Sequence, residues 1–375
     1  MKTKRDLAQA LLVPAGVVLD GPQPWDPQIH DENIFEKLFR TGSLAVGETY
    51  MQGLWDVSDM AAFFSRAHRA GTASRVFSLA TLAVLPHLLR HRFLNLQSTR
   101  RSFEVGEKHY DIGNDLYGKM LDPTMAYTCA YWKEARTLEE AQIAKLDLVC
   151  KKIGLKKGDR IFDAGCGFGS FAIFAAERYG AEVVGVTVSK EQAALARDRA
   201  RGLPVEIRLQ DYRDVNDGPY DHIVSIGLME HIGRKNYPIF IQSMRRLLKD
   251  DGLFLLHTIG NNRTTWFADP WFDKYIFPNG YLPSPHLIGK AIDGVFVMED
   301  WHTFGTDYER TLLAWFENFH AAWPELSDAY GGDTFYRMWK YYLLSMAGAF
   351  HSRYLNLWQI VLSPRGVERG YTSVR

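Results

Sequence analysis

Two side chains that can exchange protons, Glu230 and His257, each lie at the end of an apolar, β-prone segment. Glu230 lies in GLMEHIG, after the strand-like DHIVSI, and His257 lies in HTIG, at the end of the strand-like LFLLHTI. Because the carboxyl ends of parallel strands meet at one edge of a sheet, we expect the two groups to lie close together. A carboxylate and an imidazole there are suited to holding a small polar group or to proton transfer. A purely structural hydrogen-bonded pair is the alternative.

A second candidate site is the segment RIFDAGCGFGS, in which a β-prone start leads into Asp163 and three glycines at alternate positions, Gly165, Gly167 and Gly169. Such glycines let the backbone approach a ligand closely. The helix-like FAIFAAERYG follows, and its N-terminus directs N–H groups and a positive dipole end at the same place. The segment therefore has the strand–turn–helix form of a nucleotide-binding site.

The acid before the glycines indicates which nucleotide this is. The segment lacks the GK[ST] ending of a triphosphate loop, and its GxGxG spacing falls short of the dinucleotide fingerprint. Asp163 suits a ligand with a positive charge or an amino group near the turn, and S-adenosylmethionine has both. A capping role for Asp163 in the turn is the alternative.

Polar residues also follow the next two predicted strands. Thr187, Ser189 and Gln192 come after EVVGV, where ribose hydroxyls are expected, and most such sites have an acid there. Asp211 and Tyr212 follow VEIRL, where an acid and a ring suit the adenine amino group and the adenine face. Each residue alone is more often a capping or surface residue, but suitable groups at five consecutive strand ends favour a ligand site.

From residue 160 onwards, strand-like and helix-like segments alternate, which indicates a mostly parallel sheet with helices on both faces. We predict the α/β fold of a class I S-adenosylmethionine-dependent methyltransferase, with an antiparallel last strand at LWQIVL. The predicted helices of this region are Ser170–Tyr179, Lys190–Arg201, Asn236–Leu248, Tyr308–Trp323 and Asp333–Ser352. Another helix, Leu138–Ile153, leads into the glycine turn.

The 375 residues suit two domains, and the net charge of zero gives no general attraction to nucleic acid. Three widely spaced cysteines provide neither a disulfide framework nor a zinc pattern, so we expect a reducing, cytoplasmic setting and no metal. The N-terminus lacks a convincing signal peptide, and the longest apolar run, at residues 77–89, is too short to span a bilayer.

Residues 60–102 contain seven arginines and no acid, with leucines three and four positions apart. This pattern is typical of a basic amphipathic helix and tail that bind a membrane surface or lipid headgroups. A helix docked on its own domain, with a solvated arginine-rich rim, is the alternative.

Taken together, the motifs resemble the cyclopropane-fatty-acyl-phospholipid synthase family. They are HYDIGNDLY, YTCAYW, DAGCGFGS, GVTVSKEQ, LQDYRD, LMEHIG, FLLHTIG, DPWFDKYIFPNGYLPS and FGTDYERTLLAW, and the resemblance covers residues 108–363. GSLAVGETYMQGLWDV resembles the N-terminal domain of the bacterial phospholipid enzymes. We therefore predict a small, mainly helical lipid- or membrane-binding domain at 1–98, a linker at 99–107 and a methyltransferase catalytic domain at 108–375.

The resemblance further implies that the methyl carbon of S-adenosylmethionine is added across a cis double bond of a phospholipid acyl chain. It implies a bicarbonate ion held by backbone groups of Cys129 and Ile259 and by the side chains of Glu230, His257 and Tyr308. The implied S-adenosylmethionine contacts are Tyr127, Thr128, the glycine turn, Thr187–Gln192, Asp211 and Tyr212. Met346 stands where some family members have a cysteine, so a thiol there is not required.

The same resemblance implies a homodimer at the inner face of the cytoplasmic membrane. Three alternatives stay open. A fatty-acyl C-methyltransferase on the same scaffold would quench the carbocation differently. A small-amine N-methyltransferase shares some motifs, and a lipid-binding protein would carry a vestigial site.

Overall fold

The computed structural model describes residues 2–72, 113–265 and 268–375, and the chain divides into two compact units. The first comprises residues 1–94, 265–278 and 308–355, and the second comprises residues 95–264, 279–307 and 356–375. The predicted linker and most of the basic segment lie outside the described residues, so the predicted domain ranges stay a prediction. The division adds that two segments from the second half of the chain group with the N-terminal residues.

The elements alternate as predicted over much of the chain. In chain order they are α1 (Lys4–Leu12), β1 (Gln28–Ile29), α2 (Asn33–Thr41), α3 (Ser43–Met51), β2 (Trp55–Asp56), α4 (Met60–Arg69), α5 (Asn114–Met120), α6 (Leu138–Lys152), β3 (Arg160–Ala164), α7 (Ser170–Tyr179), β4 (Glu182–Thr187), α8 (Lys190–Arg199), β5 (Val205–Leu209), β6 (Tyr220–Ile226), α9 (Tyr237–Leu247), β7 (Leu248–Asn261), α10 (Pro270–Tyr275), α11 (Pro285–Ile292), β8 (Val297–Thr303), α12 (Thr306–Leu326), α13 (Asp333–His351) and β9 (Leu355–Ser363).

The first unit is mainly helical, and its late segments pack closely on its early ones. A Cβ added at Gly348 in α13 would lie 2.4 Å from the carbonyl oxygen of Ala61 in α4, so this contact requires glycine. Arg337 in α13 donates to the carbonyl oxygens of Tyr50 (2.5 Å) and Trp55 (2.9 Å). Helix α13 is thereby fixed to the β1–β2 ribbon and to α3.

The second unit is built on a seven-stranded sheet of order β5-β4-β3-β6-β7-β9-β8. Strand pairs β3–β4, β3–β6, β4–β5 and β6–β7 are parallel, whereas β8 and β9 are antiparallel. The predicted mostly parallel sheet with an antiparallel last strand is confirmed. This order brings the ends of β3, β4, β5 and β6 to one edge, level with His257 in β7.

Both faces of the sheet are covered, because successive side chains of a strand point to opposite faces. Phe162 belongs to a buried cluster with Tyr220 and Phe240, whereas its neighbour Ile161 belongs to a cluster with Leu146 and other residues. Helices α9 and α11 contribute to the first cluster, and α6, α7 and α8 to the second. Within the three described ranges, no helix is long and apolar enough to cross a membrane.

Candidate active site

The glycine turn has the backbone that its sequence predicts. Gly165, Gly167 and Gly169 have φ values of +88°, +54° and +82°, in the region that favours glycine. A Cβ at Gly165 would lie 3.0 Å from the Cβ of Leu228, so a larger residue would also crowd the next strand end. Helix α7 begins directly after Gly169, and its N-terminus therefore faces the turn.

Asp163, near the end of β3, is 2% exposed, and its Oδ2 has no hydrogen-bond partner among the described residues. Burial raises the pKa of this carboxyl to about 7, although the positive charge of Lys145 opposes the rise. A buried carboxylate oxygen without a partner costs free energy unless a ligand supplies a donor or a positive charge. The geometry therefore fits the predicted cationic or amino ligand group.

Lys145 in α6 is a site residue that the motif analysis missed. The residue is 1% exposed, and its ammonium group donates to Oγ1 of Thr128 at 2.8 Å. Burial lowers the pKa of Lys145 to about 8, whereas the nearby charges of Asp122 and Asp163 oppose the fall. The helical spacing of buried Ala141, Lys145 and Val149 is a signal that could have revealed it.

Helix α6 also holds the segment that contains Tyr127, Thr128 and Cys129. Gln142, which is fully buried, donates from Nε2 to the carbonyl oxygens of Thr128 (2.9 Å) and Ala126 (3.2 Å). The Cys129 thiol is buried and lies 3.2 Å from the Ala130 carbonyl oxygen, to which it donates. The backbone of this segment is thus fixed from one side by two polar side chains of α6.

After β4, the three predicted ribose contacts bond to one another. The hydroxyl of Thr187 donates to Oε1 of Gln192 at 2.9 Å and accepts from the Ser189 backbone N–H at 3.2 Å. Ser189 in turn caps α8 by accepting from the Gln192 backbone N–H at 3.3 Å. The side chains therefore form a small buried cluster at this strand end, and their contacts with S-adenosylmethionine stay a prediction.

After β5, the Asp211 carboxylate accepts two hydrogen bonds from the Arg213 guanidinium, at 2.7 and 2.6 Å. This pairing engages both oxygens, so Asp211 is held in place by a neighbour two residues on. Tyr212 is buried, and its ring meets Phe240 edge to face at 5.3 Å. Its hydroxyl has no partner in the described parts of the chain.

Glu230, which follows β6, accepts a hydrogen bond at the end of β7, the strand that contains His257. Oε1 of Glu230 accepts from the backbone N–H of Ile259 at 2.6 Å, two residues beyond His257. Oε2 of Glu230 is buried without a partner among the described residues. Burial raises the pKa of Glu230 to about 7, although hydrogen bonds from Ile259 and Thr258 oppose the rise.

His257 is 1% exposed and lies opposite Ile226, the last residue of β6. Its Nδ1 is 3.3 Å from Nε2 of Gln359 in β9, and its Nε2 has no partner among the described residues. Burial holds the pKa of His257 well below its usual value, and the charges of Lys145 and Lys152 lower it further. The imidazole is therefore neutral at neutral pH.

Tyr308 lies in the first unit, near the start of α12, with its ring 4.6 Å from that of Phe350 and 5.9 Å from that of Trp315. Its predicted place beside Glu230 and His257 stays a prediction.

Gln359, like Lys145, is a site residue that the motif analysis missed. Its signal was one amide in the otherwise apolar run LWQIVL, and the apolar pattern alone gave no reason to assign it a role.

Comparisons with known proteins find related sequences along nearly the whole chain. Residues 97–360 match the model of the mycolic acid cyclopropane synthetase family. The chain is 48% identical to cyclopropane-fatty-acyl-phospholipid synthase of Escherichia coli K12 over 98% of this chain and 95% of that protein. It is 30% identical to the tuberculostearic acid methyltransferase UfaA1 of Mycobacterium tuberculosis over 97% of this chain and 90% of that protein.

A solved structure of a related protein has the same fold. The mycolic acid cyclopropane synthase CmaA1, in complex with SAH and CTAB, is 32% identical and superposes with a TM-score of 0.64. The match covers 69% of this chain and 97% of that one.

Proposed function

Because the chain belongs to the mycolic acid cyclopropane synthetase family and has a methyltransferase fold, we propose that it is a cyclopropane-fatty-acyl-phospholipid synthase. It transfers a methylene group from S-adenosylmethionine to the cis double bond of an unsaturated phospholipid acyl chain. The observation that carries the proposal is a pair of buried polar atoms without described partners, Oε2 of Glu230 and Nε2 of His257. They lie at the same sheet edge as the glycine turn and Asp163.

The chemistry explains why such a site must be dry. An isolated alkene is a poor nucleophile, so it must be held against the sulfonium methyl group. Its attack leaves a carbocation, which water would trap as an alcohol and which aromatic faces stabilise. In the second unit the site residues Asp163, Glu230 and His257 are each at most 6% exposed, as water exclusion requires.

A proton must then leave carbon for the ring to close, and we propose bicarbonate as the general base. It would supply a base of suitable strength near neutral pH. The unpartnered Glu230 and His257 atoms fit a small ion that can both donate and accept hydrogen bonds. By family resemblance, the backbone of Cys129, the backbone of Ile259 and the hydroxyl of Tyr308 complete the set. The Cys129 thiol is buried and has no catalytic role in this proposal.

For S-adenosylmethionine we propose the glycine turn and Asp163 as the main contacts. The remaining contacts are Tyr127, Thr128, Thr187, Ser189, Gln192, Asp211 and Tyr212. The bound SAH of CmaA1 shows that a relative with this fold takes the same ligand class at 32% identity. In this chain, the N-terminus of α7 directs backbone N–H groups at the turn, and the glycines place no Cβ between the backbone and a ligand.

We also propose that the first unit brings the protein to the inner face of the cytoplasmic membrane, as a peripheral homodimer. The basic residues within 60–102 are suited to anionic headgroups. Reversing the charge of Arg90 and Arg92 should weaken binding to anionic liposomes, measured by co-sedimentation. Reversal of Arg178 and Arg201, which are exposed in the second unit, is the matched control. If the two variants bind anionic liposomes equally, residues 60–102 do not bind the membrane, and the alternative of a helix packed on its own domain is favoured.

A fatty-acyl C-methyltransferase is the second candidate, because UfaA1 is similar along nearly the whole chain. Incubation with S-adenosylmethionine and liposomes of unsaturated phospholipid separates the two. Acyl chains that gain CH2 and lose the double bond support the synthase. The same mass gain with a branch or a retained double bond supports the methyltransferase. No gain in mass, with S-adenosylmethionine bound, would indicate a binding protein.

A further inference from the structure

Gln359 is the one polar neighbour described for the His257 ring. It lies in β9, next to β7 in the sheet, and both side chains are at most 1% exposed. Its amide nitrogen is 3.3 Å from Nδ1 of His257, and its Oε1 has no partner among the described residues. A buried amide with one unpartnered atom destabilises a strand relative to an apolar side chain. The residues next to it in the strand, Leu357, Trp358, Ile360 and Val361, are buried and apolar.

A neutral imidazole has one nitrogen that donates and one that accepts, and the partner of one nitrogen decides the role of the other. Two arrangements are possible for this pair. If the Gln359 amide donates to Nδ1, the ring proton lies on Nε2, which then is a donor. If the amide oxygen accepts from Nδ1–H, Nε2 presents a lone pair instead.

Bicarbonate has a single hydroxyl, and an ionised Glu230 Oε2 can only accept a hydrogen bond from it, so an ionised oxygen is left to face Nε2. The first arrangement suits that oxygen, because a lone pair facing it would be repulsive. A protonated His257 ring would also attract an anion, but burial and the positive charges of Lys145 and Lys152 disfavour the imidazolium form. The tautomer of His257 is therefore what determines whether this nitrogen attracts or repels an anion.

We propose that Gln359 is a positioning residue: its amide N–H donates to Nδ1 of His257 and keeps the ring proton on Nε2, which donates to the bicarbonate ion. The inference rests on the proposed function for the identity of the anion. The tautomer itself is independent of any activity. Gln359 acts through His257 and touches neither substrate nor ion in this arrangement.

The direct test is nitrogen NMR of the full-length protein labelled with ¹⁵N-histidine, with the His257 signals identified from their loss in His257→Gln. The native protein should show a protonated Nε2 and an unprotonated Nδ1. Gln359→Glu places an acceptor opposite Nδ1 and should reverse the two signals. Gln359→Met, which conserves size and is apolar, should give averaged signals. Gln242→Glu on the exposed face of α9 should leave them unchanged.

A protonated Nδ1 in the native protein would overturn the inference, even if Gln359→Glu fails to fold. Unchanged His257 signals in folded Gln359→Glu would also overturn it. In the kinetic arm, turnover of Gln359→Glu should fall about a hundredfold, as when the orienting partner of a catalytic histidine is altered. The KM for bicarbonate should rise, while S-adenosylhomocysteine affinity stays unchanged.

The two arms separate this inference from the proposed function. Suppose that the native protein makes cyclopropane but His257 keeps its tautomer in Gln359→Glu. The proposed function would then stand, and the positioning role of Gln359 would be refuted. Suppose instead that the native protein makes no cyclopropane but the His257 signals reverse in Gln359→Glu. The proposed function would then be refuted, and control of the tautomer by Gln359 would be supported.

Discussion

Replacing Lys145 by Met removes a buried ammonium while nearly conserving the side-chain volume. In the native protein this group donates to Thr128 Oγ1 at 2.8 Å, and its charge lowers the pKa of Asp163. That pKa is still raised to about 7 by burial, so Asp163 lies at the midpoint of its titration near neutral pH. Removal of Lys145 should raise the pKa further and leave Asp163 mostly protonated at pH 7.

The size of the effect follows from the ionised fraction of Asp163. A nearby opposite charge typically lowers a carboxyl pKa by about 1–3, and we take the lower end of that range, a rise of about one on its loss. The ionised fraction at pH 7 then falls from about one half to about one tenth. If only the carboxylate form binds the ligand, affinity weakens about fivefold at pH 7. At pH 9 both proteins are over about nine-tenths ionised, and the difference disappears.

Isothermal titration calorimetry with S-adenosylhomocysteine, at pH 7 and pH 9, measures this ratio. Both proteins meet the same ligand at each pH, so titration of the ligand itself cancels. Lys151→Met is the matched control, because Lys151 is exposed on the same helix and pairs with Asp147 at 2.5 Å. Equal affinities of Lys145→Met and native protein at pH 7 would refute the role of the charge. Weakening of the same size at both pH values would assign the effect to the lost Thr128 hydrogen bond.

Three further predictions concern turnover and stability. Glu230→Gln should lower turnover about a hundredfold or more in the liposome assay, with S-adenosylhomocysteine affinity within about twofold of native by calorimetry; unchanged turnover would remove Glu230 from catalysis. Gly260→Ala places a Cβ 1.8 Å from the Trp358 ring and should lower the free energy of unfolding, measured in urea, by about 1–3 kcal/mol. Gly289→Ala is the control: there is open space around Gly289, so the substitution should leave stability unchanged or raise it. Arg337→Leu removes the guanidinium hydrogen bonds to the carbonyl oxygens of Tyr50 and Trp55 and should lower stability by about 2 kcal/mol. An unchanged urea midpoint would contradict a stabilising role for these hydrogen bonds.

Much of the second unit could be predicted from its sequence, because periodicity and turn chemistry act locally. Helix Leu138–Ile153 was found at Leu138–Lys152, and helix Ser170–Tyr179 was found with the predicted bounds. The glycine turn was recognisable because left-handed backbone next to a ligand demands glycine. Asp163, Glu230 and His257 could be placed because the ends of parallel strands share one edge.

The parts that could not be predicted depend on contacts between distant segments. The periodicity of α13 shows that the helix is amphipathic, but it does not show that its partners are α3 and α4 of the first unit. Gln359 gains its meaning only from His257, which is about a hundred residues earlier in the chain. Lys145 was overlooked because a lysine on a helix is usually exposed, and only its buried helical spacing indicated otherwise.

The central claim is that a proton is removed from the transferred carbon so that the ring closes. S-adenosylmethionine with a CD3 methyl group tests it directly, by mass spectrometry of acyl chains from unsaturated phospholipid liposomes. The account predicts that the chains gain a CD2 unit, lose the double bond and retain two of the three deuterium atoms. Chains that retain all three deuterium atoms, with a branch or a remaining double bond, would contradict it.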